Sequence, residues 1–87
     1  MLPLNMAILE QFTDGKEASR KEIKAALEKD YKNFRAFTDK GLDAALQTAY
    51  TNGLIAVTGK LDQDEHGLLV YYKSDQDMID GILNYIG

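Results

Sequence analysis

The chain has 87 residues, of which 45% are hydrophobic and 28% charged, and its formal net charge is −4. This composition supports one small core and excludes an intrinsically disordered chain, which would have fewer apolar residues and a larger net charge. Because there is no cysteine, a disulfide framework and a thiolate metal site are also excluded, and a reducing compartment is favoured.

We predict a single domain over residues 1–87, because the chain contains no repeat, no low-complexity stretch and no linker. The apolar run at residues 1–9 follows no Lys or Arg and is too short to span a bilayer. We therefore expect a cytoplasmic protein with neither a signal peptide nor a membrane segment.

Two helices are predicted in the first part of the chain. The first begins near Pro3, a residue suited to a first helical turn, and ends at Gly15. The second begins at a capping box, in which Ser19 and Glu22 satisfy each other's backbone N–H groups. The residues at helical spacing on the apolar faces of these helices are Leu4, Ile8, Leu9, Phe12, Ile23, Leu27 and Tyr31.

A third helix is predicted after a connector that carries two aromatic anchors, Phe34 and Phe37. It begins at about Thr38 and ends at Asn52-Gly53, because both residues tolerate a left-handed backbone. Its apolar residues are Leu42, Ala45, Leu46, Ala49 and Tyr50.

A β-hairpin is predicted next, from two runs rich in Leu, Val, Ile and Tyr at residues 54–58 and 68–72. The polar residues 59–67 between them are predicted to form a long, mobile tip. Tyr71 and Tyr72 point to opposite faces of one strand, so we expect one in the core and the other exposed.

A fourth helix is predicted after a second capping box, formed by Ser74 and Asp77. The apolar residues that follow on one side of it are Met78, Ile79, Ile82, Leu83 and Ile86. A short C-terminal helix would need fewer apolar residues than these five to pack against the first helix. Two alternatives stay open, namely packing within the molecule and homodimerisation through these five residues.

This order of elements predicts the α+β class and, within it, a winged helix. The predicted winged helix consists of a three-helix bundle, a β-hairpin wing and an additional C-terminal helix. Regulatory proteins with a helix-turn-helix core of this kind commonly bind duplex DNA, so transcription regulation is the first function that the order suggests.

Two segments carry a resemblance to a known family. One is Ser-Arg-Lys-Glu-Ile at residues 19–23, and the other is Asn-Gly-Leu-Ile at residues 52–55. Over about residues 8–72 the chain resembles the globular winged-helix domain of linker histones. The resemblance implies DNA contacts from basic residues of the second and third helices and the wing, at positions matched here by Arg20 and Lys32.

Positive charge is concentrated in residues 16–40, which hold eight basic and five acidic residues, whereas residues 41–87 hold two basic and seven acidic ones. Basic side chains supply the sequence-independent part of DNA affinity, and a glutamine on the third helix could read adenine. The predicted contacts to double-stranded DNA are Arg20, Lys21, Lys24, Lys32, Arg35, Lys40 and Gln47. A solvated helix face with local ion pairs is the alternative.

Acidic residues also lie on the predicted DNA surface. Asp39 and Asp43 share the third helix with Lys40, and the hairpin tip contains further acids. Unpaired carboxylates near phosphates oppose binding, so we expect weak and salt-sensitive DNA contact. The same acids favour a second hypothesis, a protein-interaction module that engages a basic surface of a protein partner without binding DNA.

No residue pattern indicates an enzyme. Ser19 and Ser74 are explained as helix caps, and the chain has no Gly-rich phosphate loop. His66 is the only histidine, so a zinc site of familiar type cannot be completed, and the side chain is expected to titrate freely. We therefore expect neither catalysis, nor a cofactor, nor a bound metal.

Overall fold

The computed structural model describes all residues from 1 to 87 and shows a small α+β fold. Four helices accompany one two-stranded antiparallel hairpin, an arrangement compatible with the predicted winged helix. The elements in chain order are α1 (Leu4–Glu10), α2 (Arg20–Tyr31), α3 (Asp39–Thr51), β1 (Ala56–Asp64), β2 (Gly67–Lys73) and α4 (Gln76–Ile86).

The first residues of α2 and α3 are set by side-chain caps, as the sequence predicts. At α2 the Ser19 hydroxyl accepts from the Lys21 N–H at 3.2 Å, and the Ser19 N–H donates to Glu22 Oε1 at 2.8 Å. At α3 the Thr38 hydroxyl accepts from the Gly41 N–H at 3.0 Å. Because these bonds satisfy backbone donors that the helices leave free, both helix starts are determined locally.

The core lies between the three N-terminal helices, with one strand residue and one residue of α4 completing it. Phe12, Leu42 and Ile82 are wholly buried within it. The full set of buried core residues is Ala7, Ile8, Leu9, Phe12, Ile23, Leu27, Tyr31, Phe37, Leu42, Leu46, Ala49, Ile55, Tyr72 and Ile82. The helical apolar faces predicted from spacing are therefore largely confirmed.

The hairpin is longer than predicted. Pairing of β1 with β2 continues to Asp64 and Gly67, and only a two-residue turn separates the strands. The predicted long tip is thus wrong, because its polar residues form a backbone ladder that their composition does not reveal. A bulge at residues 58–60 interrupts the register, and Gly59 there has a φ of 92°.

A backbone bridge ties the hairpin to the segment before α2. Ala18 and Tyr72 exchange two N–H···O bonds of 2.9 Å, so β2 is paired on both sides at this point. Both neighbouring tyrosines are largely buried, and the expectation that one would be exposed is wrong. Tyr71, which does not belong to the main core, is covered by Lys60, whose Nζ lies 4.4 Å from the ring centroid.

The cap of α4 also differs from the prediction. Asp75, rather than Ser74, is the N-cap residue, and its carboxylate accepts from the Met78 N–H at 2.9 Å. The buried Ser74 hydroxyl instead donates to the carbonyl oxygen of Leu54 at 2.8 Å. This bond connects the segment before α4 to the segment before β1, which lies twenty residues earlier in the chain.

Replacement of Gly41 by alanine should destabilise the protein. A Cβ at this position would overlap the carbonyl oxygen of Ala36, so the turn before α3 would have to move. We expect the free energy of unfolding to fall by about 2 kcal/mol, the usual cost of overpacking. Urea denaturation followed by circular dichroism measures this loss.

Gly81→Ala is the matched control, because Gly81 is also helical but its Cβ would lie 3.4 Å from Leu54 Cδ2, an ordinary contact. Because alanine has a higher helix propensity than glycine, Gly81→Ala should raise the free energy of unfolding by about 0.5–1 kcal/mol. Equal effects of the two substitutions would contradict the close approach at Gly41.

Candidate nucleic-acid interface

Arg20, the first residue of α2, lies at the centre of a group of charges. Its side chain is only 6% exposed. The guanidinium contacts Asp43 of α3 at 3.0 Å, Asp64 of β1 at 3.1 Å and Asp39 of α3 at 3.6 Å. We call these four residues the Arg20 cluster. Because its members come from three elements, the cluster joins α2, α3 and the end of the hairpin.

Two further side chains contact the Arg20 cluster through Asp39. Lys24 Nζ lies 3.0 Å from Asp39 Oδ1, and His66 Nδ1 lies 3.3 Å from Asp39 Oδ2. His66 also approaches Glu65 at 3.3 Å. His66 thus contacts two carboxylates, because the two-residue turn brings it close to the start of α3.

The surroundings of these groups favour their charged forms. The hydrogen bond from Lys24 outweighs partial burial and holds the pKa of Asp39 below its ordinary value. Burial acts to raise the pKa of Asp64, but the backbone N–H of His66 and the charge of Arg20 outweigh it, so the pKa is lowered. For Arg20, burial acts to lower the pKa, while the hydrogen bond to Asp43 and the three carboxylates raise it.

The Arg20 cluster changes two expectations about DNA contact. Arg20 was predicted to face phosphates, but its guanidinium is occupied by protein carboxylates and is almost inaccessible to solvent. Asp39 and Asp43 were expected to be unpaired, but both are partnered inside the protein. Each of the two carboxylates thus has a cationic partner on α2, while the Arg20 cluster as a whole carries one positive and three negative charges.

The other predicted DNA contacts divide into two groups. Lys24 is 37% exposed and is held by Asp39. The remaining predicted residues are exposed and take part in none of the ion pairs within 4.0 Å. They are Lys21 in the first turn of α2, Lys32 and Arg35 in the connection to α3, and Lys40 and Gln47 on α3.

The exposed face of α3 is nearly free of net charge. Lys40 and the Arg20-paired Asp43 are its only exposed ionised side chains. The other exposed residues of α3 are Ala44, Gln47, Thr48, Tyr50 and Thr51. We call Lys32, Arg35, Lys40 and Gln47 the turn-and-helix surface.

Phe34 was predicted as a core anchor, but only Phe37 takes that role. Phe37 is 8% exposed, whereas Phe34 is 41% exposed and packs edge-on against Tyr31, with 4.9 Å between ring centroids. An exposed aromatic ring therefore stands between Lys32 and Arg35. The aromatic type alone predicts burial, so sequence reasoning missed this position.

The five residues predicted to mediate dimerisation have different environments. Ile82 is wholly buried in the core of its own molecule, and Ile86 packs partly buried against that core. Met78 and Ile79 are half-buried, and Leu83 is 53% exposed. Packing within the molecule, one of the two alternatives, thus accounts for Ile82. Homodimerisation through α4 stays a prediction, for which Leu83 is the exposed candidate.

Two general features bear on other kinds of site. No group of three or more His, Asp or Glu side chains is arranged to hold a metal ion. None of the four helices combines the length and the apolar character that crossing a bilayer requires.

Replacement of Arg20 by methionine should destabilise the protein at neutral pH. Three carboxylates would then face one another without their shared cation. Because these carboxylates keep some solvent contact, we expect a loss of about 2 kcal/mol, less than removal of a partner from a fully buried pair. Urea denaturation at pH 7 measures the loss, with Lys29→Met, an exposed site on the same helix, as the control.

The pH dependence of stability gives a second test of the Arg20 cluster. Since the folded-state pKa values of Asp39 and Asp64 are lowered, their contribution is present above about pH 4 and is lost as pH falls further. The loss of stability in the Arg20→Met variant should therefore become smaller as pH falls, because protonation of the carboxylates removes their mutual repulsion. A deficit that stays constant from pH 7 to acid would contradict this electrostatic role.

A scan against protein-family models finds no match to this chain. A search of curated proteins likewise finds no matching relative. What the protein binds is therefore inferred from its own surface.

Proposed function

We propose that this chain is a winged-helix DNA-binding regulatory protein without catalytic activity. The helices and the hairpin have the order expected of a winged helix with one added C-terminal helix. The bridge between Ala18 and Tyr72 supports this assignment, because it pairs the segment between α1 and α2 with β2 of the hairpin. In such a domain α3 is the helix expected to enter the major groove.

The observation that carries the proposal is the pairing of both acids of α3 with cations of α2. With Asp43 paired to Arg20 at 3.0 Å, the exposed face of α3 offers Lys40 and Gln47 among mostly small side chains, with Tyr50 as its one large exposed ring. Small side chains let a helix backbone approach base edges closely. Lysine and glutamine can then read guanine and adenine by hydrogen bonds in the major groove.

Phosphate contacts would come from the connection between α2 and α3. Lys32 and Arg35 are exposed there and free of ion pairs, and Lys21 adds a third cation. Each phosphate neutralised contributes about −0.9 to the slope of log affinity against log salt. Three such cations give a slope of about −2.7. With so few cations and a net charge of −4, we expect weak binding that falls as salt is raised.

A protein-interaction module is the second candidate, and the hairpin favours it. Exposed acids near the turn, Asp62 and Glu65, would repel phosphates but suit a basic partner. The acids of α3 support this alternative less than the sequence implied, because both have cationic partners within the protein. Neutralising Asp62 and Glu65 together should strengthen DNA binding, whereas it should weaken capture of a basic protein partner.

The test of the proposal is fluorescence anisotropy of a labelled duplex, titrated with the protein at low and then physiological salt. Lys32→Gln combined with Arg35→Gln should weaken binding by about tenfold at low salt and flatten the salt slope by about 2. Lys73→Gln is the control with the same kind of charge change, at an exposed position at the end of β2.

Gln47→Ala separates base reading from phosphate contact. It should reduce the preference among duplex sequences while the salt slope stays unchanged, because an uncharged side chain releases no counterions. Absence of binding by the wild-type protein even at low salt would overturn the proposed function. Equal losses of DNA affinity in the Lys73→Gln control and in the variant that combines Lys32→Gln with Arg35→Gln would overturn the assignment of DNA contact to the turn-and-helix surface.

A further inference from the structure

An exposed aromatic ring lies between two cations in the connection from α2 to α3. Phe34 is 41% exposed. Lys32 and Arg35, on either side of it in the sequence, are exposed and take part in none of the ion pairs within 4.0 Å. Residues 31–38 contain no acidic side chain. The connection thus presents an apolar ring together with positive charge, and we call these three residues the ring-and-cation surface.

The Phe34 ring is supported from below and open to a second planar group. Its centroid lies 4.9 Å from that of Tyr31, and the two ring planes meet at 62°. Because the rings are not parallel, Tyr31 covers at most one face of Phe34, and the exposed remainder of the ring is free to stack on a partner. Tyr31 is itself buried, and its hydroxyl donates to the carbonyl oxygen of Leu2. It therefore gives Phe34 a fixed support.

Backbone hydrogen bonds hold the connection in one conformation. The Phe34 N–H donates to the Tyr31 carbonyl at 2.9 Å, and the Phe37 N–H donates to the Phe34 carbonyl at 3.0 Å. Phe37 is buried in the core, so it anchors the end of this turn. A ligand that binds here orders few groups, because the backbone that carries the ring is already fixed, and less affinity is lost to conformational entropy.

The chemistry of the ring-and-cation surface selects a nucleotide as its ligand. Lys32 and Arg35 attract an anion, and phosphates are the anions that such side chains bind in nucleic acids. The open ring needs a planar partner, and every nucleobase has a face that stacks on an aromatic side chain. Inside a duplex, neighbouring base pairs cover both faces of each base. An unpaired nucleotide is therefore the ligand that can offer its base to Phe34 while its phosphates contact the two cations.

We propose that Phe34 stacks on the base of an unpaired DNA nucleotide whose flanking phosphates are bound by Lys32 and Arg35. This inference rests on the proposed function in taking DNA as the ligand. The connection directly precedes α3, so it would face the backbone of a duplex whose major groove α3 enters. The preferred ligand is then a duplex that continues into a single-stranded overhang, rather than a blunt duplex.

Fluorescence anisotropy at low salt with three labelled ligands tests the inference. They are a blunt duplex, the same duplex with a short overhang of adenine nucleotides, and the same overhang with abasic nucleotides, which keep the phosphates. The wild-type protein should bind the adenine overhang about tenfold more tightly than the abasic one, the gain expected from one base stacked on an aromatic ring. Phe34→Leu should abolish this difference and leave the affinity for the blunt duplex unchanged, whereas Phe34→Tyr should retain both.

Tyr85→Leu is the matched control, because it replaces a ring that is 50% exposed on α4. Tyr85 lines a cavity with Thr48 and Asn52 at the end of α3, whereas the ring-and-cation surface precedes its start. This variant should keep the tenfold gain. Circular dichroism and urea denaturation should show that all variants are folded under the conditions of the titration.

The outcomes separate the inference from the proposed function. Equal wild-type affinity for the adenine and abasic overhangs, with binding of the blunt duplex, would overturn the inference alone. A gain that depends on Phe34, without binding of the blunt duplex, would overturn duplex recognition alone. A gain that survives Phe34→Leu would overturn the role of the ring. Phosphatidylserine vesicles offer negative charge without a base, so Phe34-dependent binding to them with no gain from adenine would also overturn the inference.

Discussion

One guanidinium joins the end of the hairpin to two helices. Arg20 contacts Asp39 and Asp43 of α3 and Asp64 at the end of β1, so a single side chain links three elements. Burial of an arginine is costly unless its charge and its donors are satisfied. Here three carboxylates satisfy them, and this arrangement specifies how the hairpin end meets the start of α3. His66 and Lys24 extend the same group of charges.

The Arg20 cluster also decides the charge that the surface presents. It withdraws one cation of α2 from the surface and pairs it with two acids of α3 and one of β1. What remains exposed is a short run of cations at the connection before α3 and a nearly neutral face on α3 itself. Structure and surface chemistry are thus coupled, because the residues that join the elements are the ones whose charges would otherwise dominate the proposed interface.

Local patterns in the sequence determined where α2 and α3 begin and where α3 ends. These signals act within a few residues, so they can be recognised from the sequence alone. They are the capping box at Ser19 and Glu22, the cap at Thr38 and the stop at Gly53. The extent of the hairpin and the partners of Arg20 were decided only by tertiary structure. Asp43 and Asp64 lie 23 and 44 residues from Arg20 in the chain, and no local pattern can select them from the other acids. Composition shows that cations are concentrated in one segment, but only packing decides which of them are neutralised inside and which face a ligand.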